Sequence, residues 1–201
     1  MASETFLPDP PAGPAVDAML EADRTSHGFV MNLTRVWAHQ PRVFDAYAAL
    51  ATSSAEAAGL SVRDRGVLVT ALASTIGDAY CSIAWGGRLA AEAGDPSLPV
   101  AVLTGSDAGL DDRERALAAW ARLVARDPSA TTQADVDRLR EAGLDDAQVV
   151  AATVYVAARL AFSTVNGALG ARPDGDLRSV APAEVLETVT WGRPIEPPGA
   201  G

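Results

Sequence analysis

The sequence contains no lysine and only one cysteine, Cys81. A single cysteine cannot form a disulfide within the chain, so we expect a reducing, cytoplasmic location. All 16 basic residues are arginine, and 26 acidic residues bring the net charge to −10. Nucleic acids and anionic membranes select clustered basic side chains, so we expect neither as a partner. Glu4 and Asp9 lie where a secretion signal would need positive charge and an apolar run, so we also expect no such signal.

The usual signatures of metal and cofactor sites are missing as well. The two histidines, His27 and His39, belong to no metal-ligand motif, and there is no C-x-x-C pair. Gly86-Gly87 lacks the spacing of a nucleotide-binding loop, and no G-x-S-x-G nucleophile elbow occurs. We therefore predict no metal and no cofactor, and a small-molecule substrate handled by the protein's own side chains.

The apolar residues recur at helical spacing between cap and stop residues, and no alternating strand pattern interrupts them. Three patterns resemble capping boxes: Ser61-x-x-Asp64, Thr132-x-x-Asp135 and Asp145-x-x-Gln148. The sequence predicts an all-α bundle of roughly eight or nine helices. The longest apolar stretch, Val149 to Leu169, contains Arg159, which favours a buried core helix over a membrane span.

Composition divides the chain into three parts. Residues 1–13 are rich in proline and polar residues, which predicts a flexible N-terminal segment. Residues 14–170 carry the helical pattern and form the predicted domain. Residues 171–201 contain five prolines, which predicts a C-terminal tail with at most one short helix near Ala183–Val189.

One segment brings reactive side chains together. If residues 78–88 are helical, Asp78, Cys81, Trp85 and Arg88 lie on one stripe, with Tyr80 beside it. A carboxylate, a thiol, an indole and a guanidinium on one face would line a small pocket. The structural alternative makes Asp78 a helix cap, Cys81 and Trp85 core residues, and Arg88 a solvated or paired charge.

Seven pieces of sequence occur in the order found in one known superfamily. They are Asp23-Arg24, His27-Gly28-Phe29-Val30-Met31-Asn32-Leu33, Ala38-His39-Gln40-Pro41, Leu60-Ser61-Val62-Arg63-Asp64-Arg65, Tyr80-Cys81, Leu110-Asp111-Asp112-Arg113-Glu114-Arg115-Ala116-Leu117 and Gly143-Leu144-Asp145-Asp146. Over roughly residues 14–170 the chain resembles the alkylhydroperoxidase D-like (AhpD-like), carboxymuconolactone decarboxylase superfamily, in its peroxidase-related branch. The resemblance implies an AhpD-like helical bundle.

The resemblance also implies which redox residues are missing. Peroxidase members use two cysteines, a histidine and a glutamate; here Cys81 matches the second cysteine. The other three positions carry Asp78, Trp85 and Gly66. This degenerate motif excludes a dithiol peroxidase, and Gly66 would leave room for a ligand. Asp78 would raise the pKa of the thiol by charge repulsion, and we expect only Arg88 to oppose it.

Two further side chains are candidates for substrate contact. His39 precedes a helix start and is either a capping and packing residue or a general base. Arg159 lies in an apolar helix, so it needs a carboxylate partner or anchors a ligand anion. His27, by contrast, is expected to interact with a helix C-terminus.

Three functions follow from these observations. The first is an enzyme, lyase- or isomerase-like, that acts on a small organic molecule by non-redox acid–base chemistry, such as decarboxylation, elimination, isomerisation or cyclisation, in secondary metabolism. Here Asp78, Cys81 and Tyr80 are catalytic, and Trp85 forms a flat wall beside Arg88. The alternatives are a single-cysteine antioxidant peroxidase and a non-catalytic ligand-binding or assembly protein. We also expect a homo-oligomer, dimeric or larger, with interfaces in the apolar stretches.

Overall fold

The computed structural model describes residues 5–197, and within this range the protein is entirely helical. Eleven α-helices and one 3₁₀ turn at Pro128–Ala130 follow one another, and eight of the α-helices have seven residues or more. The α-helices are α1 (Pro14–His27), α2 (Asn32–Trp37), α3 (Pro41–Ala57), α4 (Val62–Ile76), α5 (Ala79–Ala93), α6 (Ser97–Leu103), α7 (Asp112–Arg126), α8 (Gln133–Glu141), α9 (Asp146–Ala168), α10 (Leu177–Val180) and α11 (Ala183–Thr188). The all-α prediction is confirmed.

The helix starts follow from local sequence. The three predicted capping boxes are formed at α4, α8 and α9, and a fourth, between Asp111 and Glu114, begins α7. In each box a side chain at the cap and another three residues later satisfy free backbone N–H groups at the helix start. The sequence therefore fixes the order and approximate limits of the long helices before any packing is considered.

Helix α4 is the centre of the molecule and packs against α5, α6, α7 and α9. Val67, Leu68, Val69 and Leu72 are completely buried within the chain. This corrects the expectation that the α4 stretch offers apolar surface to another subunit. Within the apolar stretch Val67–Ile76, only Ile76 is exposed. The predicted homo-oligomer itself stays a prediction.

Helix α9 has the length and apolarity of a membrane span, with a mean hydropathy of 1.4 over 18 residues. In the structure it packs along α3 and also contacts α4, α7 and α8. Of the same 18 residues, 44% are buried inside the protein. Its apolar residues therefore serve the core, as the interruption by Arg159 predicted.

The two ends of the described range, residues 5–197, pack on the helical domain. The Phe6 N–H donates to the Leu169 carbonyl at 2.9 Å, which ties the N-terminal segment to the end of α9. The C-terminal segment contains two short helices, α10 and α11, where at most one was predicted, and both contact α5. They approach closely because α5 carries Gly86 and Gly87 at the contact: a Cβ on Gly87 would lie 3.1 Å from the Ala181 Cα.

A matched pair of glycine substitutions tests this close approach. Gly87→Ala is expected to lower the free energy of unfolding by about 1–3 kcal/mol, because the new methyl meets backbone atoms of α10. Gly167→Ala is expected to raise it by about 0.5–1 kcal/mol, because this helical glycine has no atom within 4 Å of the new methyl. Urea unfolding measures both, and equal effects would contradict the packing described.

Candidate functional site

The N-terminus of α5 sets the geometry of the site. Gly77 ends α4 with a left-handed backbone (φ 72°), which turns the chain directly into α5. Asp78 caps α5: its Oδ1 accepts a hydrogen bond from the Cys81 backbone N–H at 3.0 Å. Its other oxygen, Oδ2, is buried and has no hydrogen-bond partner among residues 5–197. Asp78 is thus a cap that retains one free carboxylate oxygen.

A cavity of about 550 Å³ opens beside the middle of α5. Its walls are mainly apolar and aromatic, and its few polar groups include the predicted Tyr80, Cys81, Arg88 and Arg159. We call it the substrate cavity; it is lined by Ser26, His27, Phe29, Met31, Leu33, Tyr80, Cys81, Ala84, Trp85, Gly87, Arg88, Ala91, Arg159, Phe162, Leu177 and Val180. A concave, largely apolar space of this size with few polar groups suits a small organic ligand.

The Cys81 thiol lies at the buried side of this cavity. Arg159 Nη2 is 3.5 Å from Sγ, and Ser163 Oγ is 3.7 Å from it. Burial raises the pKa of the thiol to about 12, the Asp78 carboxylate adds to the rise, and the Arg159 guanidinium opposes it. The opposing cation is therefore Arg159, which corrects the expectation that only Arg88 would fill this role. At neutral pH the thiol keeps its proton.

Arg159 is a buried cation without a carboxylate partner. It is 9% exposed, and Nη1 donates to the Tyr47 hydroxyl at 3.1 Å. Across the described part of the chain it forms no salt bridge, and its Nε has no hydrogen-bond partner. The carboxylate partner that was one of the two expectations is thus absent from the described residues, and the ligand-anion role stays a prediction.

Aromatic rings hold the Arg159 guanidinium in place. Its Cζ lies 5.3 Å from the Trp85 ring centroid and 4.8 Å from that of Phe162. Arg88, exposed at the rim, also lies over Trp85, with Cζ 5.1 Å from the centroid. Such cation–π contacts favour the charged form without neutralising it. Trp85 forms one wall of the cavity and leaves its volume open.

Tyr80 belongs to a buried polar network as well as to the cavity wall. Its hydroxyl donates to Asp174, whose Oδ1 accepts from the Asn32 backbone N–H at 2.9 Å. The Asn32 side chain donates to Glu196 near the end of the described chain. Burial, supported by the charge of Glu196, raises the pKa of Asp174 to about 6, and burial beside Asp174 raises the pKa of Tyr80. Tyr80 is thereby fixed in its protonated form.

Asp78 lies in the wall of another cavity, of about 670 Å³, which we call the second cavity. Ser163, Thr164 and Asn166 of α9 and Arg193 of the C-terminal segment share this wall. The structure therefore divides the predicted stripe: Cys81, Trp85 and Arg88 line the substrate cavity, and Asp78 lines the second cavity.

Two of the predicted substrate-binding residues lie away from both cavities. The His39 ring donates from Nε2 to the Pro8 carbonyl oxygen at 3.0 Å. Gly66 is buried where α4 meets α5, and a Cβ there would lie 3.1 Å from Leu89 Cδ1. The small residue thus makes room for Leu89. Their predicted substrate contacts stay predictions, and the mechanism below makes no use of them.

The sequence analysis missed several residues of the site. His27 and Phe29 reach the substrate cavity from the end of α1, and Ser163 approaches the thiol from α9. Asp174 comes from the segment interpreted as a tail. No local pattern marks these residues, because each is brought to α5 by tertiary packing. The sequence marked them only through its resemblance to the AhpD-like superfamily, whose matching segments include His27 and Phe29.

No cluster that suits a metal ion occurs in the described range. Groups of three or more histidine, cysteine, aspartate or glutamate side chains at metal-binding distance are absent from residues 5–197. Asp174 and Glu196 come close to each other, but they are occupied by the Tyr80 and Asn32 hydrogen bonds. The reactive groups available to a ligand are therefore the thiol, the carboxylate and the guanidinium.

Comparison with solved structures identifies the fold. A peroxidase-related protein with an alkylhydroperoxidase AhpD core from Ralstonia eutropha superposes with a TM-score of 0.76 at 22% identity, over 88% of this chain and 96% of that one. A peroxidase-related protein from a Silicibacter species gives a TM-score of 0.75 at 23% identity, over 87% and 94%. These matches confirm the predicted AhpD-like fold.

The debrominase Bmp8 has the same architecture. A variant with a cysteine replaced by alanine, in complex with 2,3,4-tribromopyrrole, superposes with a TM-score of 0.71 at 13% identity, over 90% of this chain and 96% of that one. No protein-family model and no curated protein sequence matches this chain. The similarity therefore lies in the fold.

Proposed function

We propose, from the AhpD-like fold and the buried thiol, that this chain is a lyase- or isomerase-like enzyme that protonates carbon in a small planar acid. The observation that carries the proposal is the position of Cys81: a protonated thiol that lines an organic-sized cavity beside a cation without a carboxylate partner. Bmp8, a protein of the same fold, has been solved in complex with a bromopyrrole, and this supports a planar ring as the kind of ligand proposed here.

Arg159 supports an anionic substrate. A buried guanidinium without a carboxylate partner is costly, and a ligand carboxylate would supply the missing charge through charge-assisted hydrogen bonds. Trp85 and Phe162 flank the guanidinium, so an aromatic or unsaturated ring attached to that carboxylate would lie against their faces. An aromatic or heteroaromatic carboxylate satisfies both requirements.

Cys81 is suited to donate a proton in this setting. In a decarboxylation, the carbon–carboxylate bond breaks, carbon dioxide leaves, and the electron pair stays on the ring carbon. That carbon takes the thiol proton, which leaves a thiolate 3.5 Å from the Arg159 guanidinium. The raised pKa of the thiol suits a strongly basic carbon acceptor, and Arg159 stabilises the thiolate that forms.

Asp78 completes the cycle. The Asp78 side chain lines the second cavity, and its carboxylate interacts with the Cys81 thiol, so it is close enough to the sulfur to return a proton to it. A proton returned by Asp78 converts the thiolate to the thiol for the next turnover. In this proposal Asp78 has the acid–base role that the sequence analysis assigned to it.

The observed cavity supports this function over the two alternatives. Peroxide reduction needs a thiolate, and burial together with Asp78 opposes thiolate formation at Cys81. A decayed scaffold would fill its former site with Trp85, whereas here Trp85 lines an open cavity. Arg159 beside the thiol favours a thiolate, but burial and Asp78 outweigh it, and the pKa of Cys81 stays raised.

The experiment is an activity assay in D₂O. Purified protein is incubated with pyrrole-2-carboxylate, furan-2-carboxylate and 4-hydroxybenzoate, and products are analysed by mass spectrometry and ¹H NMR. We expect loss of carbon dioxide with one deuterium incorporated at the carbon that carried the carboxylate. Pyrrole-2-carboxamide, which has the same shape without the charge, is the matched control. Absence of both binding and turnover for all three acids would overturn the proposal.

A further inference from the structure

The substrate cavity has a charge pattern opposite to that of the whole protein. Arg88 and Arg159 line it, and none of the described residues in its wall is an aspartate or a glutamate. The chain as a whole has a net charge of −10. The proposed function uses Arg159 to bind the substrate carboxylate, which leaves the charge of Arg88 without an assigned role.

Arg88 has no acidic partner in the described part of the chain. Among residues 5–197 it forms no salt bridge, even with Glu92, which follows it by one turn of α5. Its Cζ lies 5.1 Å from the Trp85 ring centroid, and the Arg159 Cζ lies 5.3 Å from the same centroid. A ligand beside this indole is therefore close to both cations.

A third arginine, Arg65 of α4, lies on the same side of the helix pair as Arg88. Helices α4 and α5 are joined by two residues and pack antiparallel, and a Cβ on Gly66 would lie 3.1 Å from Leu89 Cδ1. Arg65 and Arg88 each precede one of these contact residues. In an antiparallel pair of right-handed helices, the residues that precede a contact lie on the same side of it. Arg65 also forms no salt bridge within residues 5–197.

The surroundings of Tyr155 show that these three cations converge. Tyr155 is a buried residue of α9, and burial raises the pKa of its hydroxyl, while the charges of Arg159, Arg65 and Arg88 oppose the rise. Guanidinium groups from three helices thus act on one phenol. A cluster of cations without carboxylate partners concentrates positive potential and attracts an anion.

We propose that Arg65 and Arg88 bind a phosphate group of the substrate at the rim of the substrate cavity, while Arg159 binds its carboxylate. This inference rests on the proposed function in assigning the phosphate to the substrate. Two guanidinium groups balance the charge of a phosphate monoester, which is close to −2 at neutral pH, and their planar forks match its oxygens. The substrate class is therefore a phosphorylated aromatic or heteroaromatic carboxylate.

Inorganic phosphate tests the rim site without any turnover. Binding is measured by ³¹P NMR titration at constant ionic strength, with phosphate replacing chloride. Arg65→Gln and Arg88→Gln are each expected to weaken binding about tenfold or more, because charge-assisted hydrogen bonds are lost. Arg42→Gln is the matched control: Arg42 is exposed on α3 and, in the described range, forms no salt bridge. Absence of binding to the wild type, or equal weakening in Arg42→Gln, would overturn the proposal.

Two benzoates distinguish a substrate phosphate from free phosphate. We expect 4-carboxyphenyl phosphate to bind the wild type at least tenfold more tightly than 4-hydroxybenzoate, although the chain is acidic overall. This advantage should disappear when Arg65→Gln and Arg88→Gln are combined. An unchanged advantage in the double variant would contradict the proposal, as would binding of inorganic phosphate without any advantage of the ester. Phosphate binding needs no decarboxylation, so failure of the acid panel and failure of this proposal are separate results.

Discussion

Replacing Cys81 by alanine is expected to slow protonation of the substrate carbon by about 10²–10⁴-fold, the usual effect of removing a general acid. The physical reason is the position of the thiol, which lines the substrate cavity next to Arg159. Cys81→Ser should be similarly slow, because a hydroxyl is a weaker acid than the thiol. The measurement is deuterium incorporation from D₂O into the product of pyrrole-2-carboxylate.

The substrate affinity separates this effect from misfolding. Arg159 and Trp85 hold the ligand in the account above, so the KM of Cys81→Ala should stay close to that of the wild type. Asp78→Asn should keep the helix cap, because an amide oxygen can replace Oδ1 as the acceptor of the Cys81 N–H. If Cys81→Ala protonates the substrate carbon at the wild-type rate, the proton comes from another group.

The second large effect concerns stability and pH, and it arises at Asp174. Its pKa is raised from an ordinary 3.8 to about 6, because the carboxylate is buried and faces Glu196. A group with a raised folded-state pKa contributes stability that is fully present below its unfolded pKa. That contribution is lost as the pH rises through the folded pKa, here between about pH 4 and pH 6. The shift of about two units corresponds to roughly 3 kcal/mol.

Asp174→Asn removes this titration and keeps a hydrogen-bonding side chain. Urea unfolding of both proteins between pH 4 and pH 7 should show the wild type losing roughly 3 kcal/mol relative to the variant. Comparing the two proteins cancels the effect of all the other carboxylates, which both proteins share. Glu196→Gln, which removes the facing charge, should reduce the loss. A difference that is constant over this pH range would contradict the raised pKa of Asp174.

The sequence predicted those parts of the structure that local interactions determine. The capping boxes at Ser61, Thr132 and Asp145 fix helix starts within four residues, so they could be recognised without tertiary information. The same holds for the helix that carries Cys81 and Trp85, because residues three or four apart share one helix face. The helices from α2 to α9 could therefore be predicted from the sequence alone.

The remaining features depend on contacts between distant segments. Arg159 comes close to Cys81 only because α9 packs near α5, and nothing in the sequence around either residue indicates it. Asp174 reaches Tyr80 across 94 positions of sequence. Asp78 has the spacing of the Cys81 stripe, yet it caps α5 and lines the second cavity instead of the substrate cavity.

The charge state of Cys81 tests the central claim most directly, since the account requires a protonated thiol in the resting enzyme. The S–H infrared band of the single cysteine can be followed as a function of pH, with Asp78→Asn as a comparison. We predict that the wild-type band persists above pH 10, with a midpoint near about 12, and that the midpoint falls in Asp78→Asn because the repelling carboxylate is removed. Loss of the band below pH 8 would show that Cys81 is a thiolate at neutral pH and would contradict its role as a proton donor.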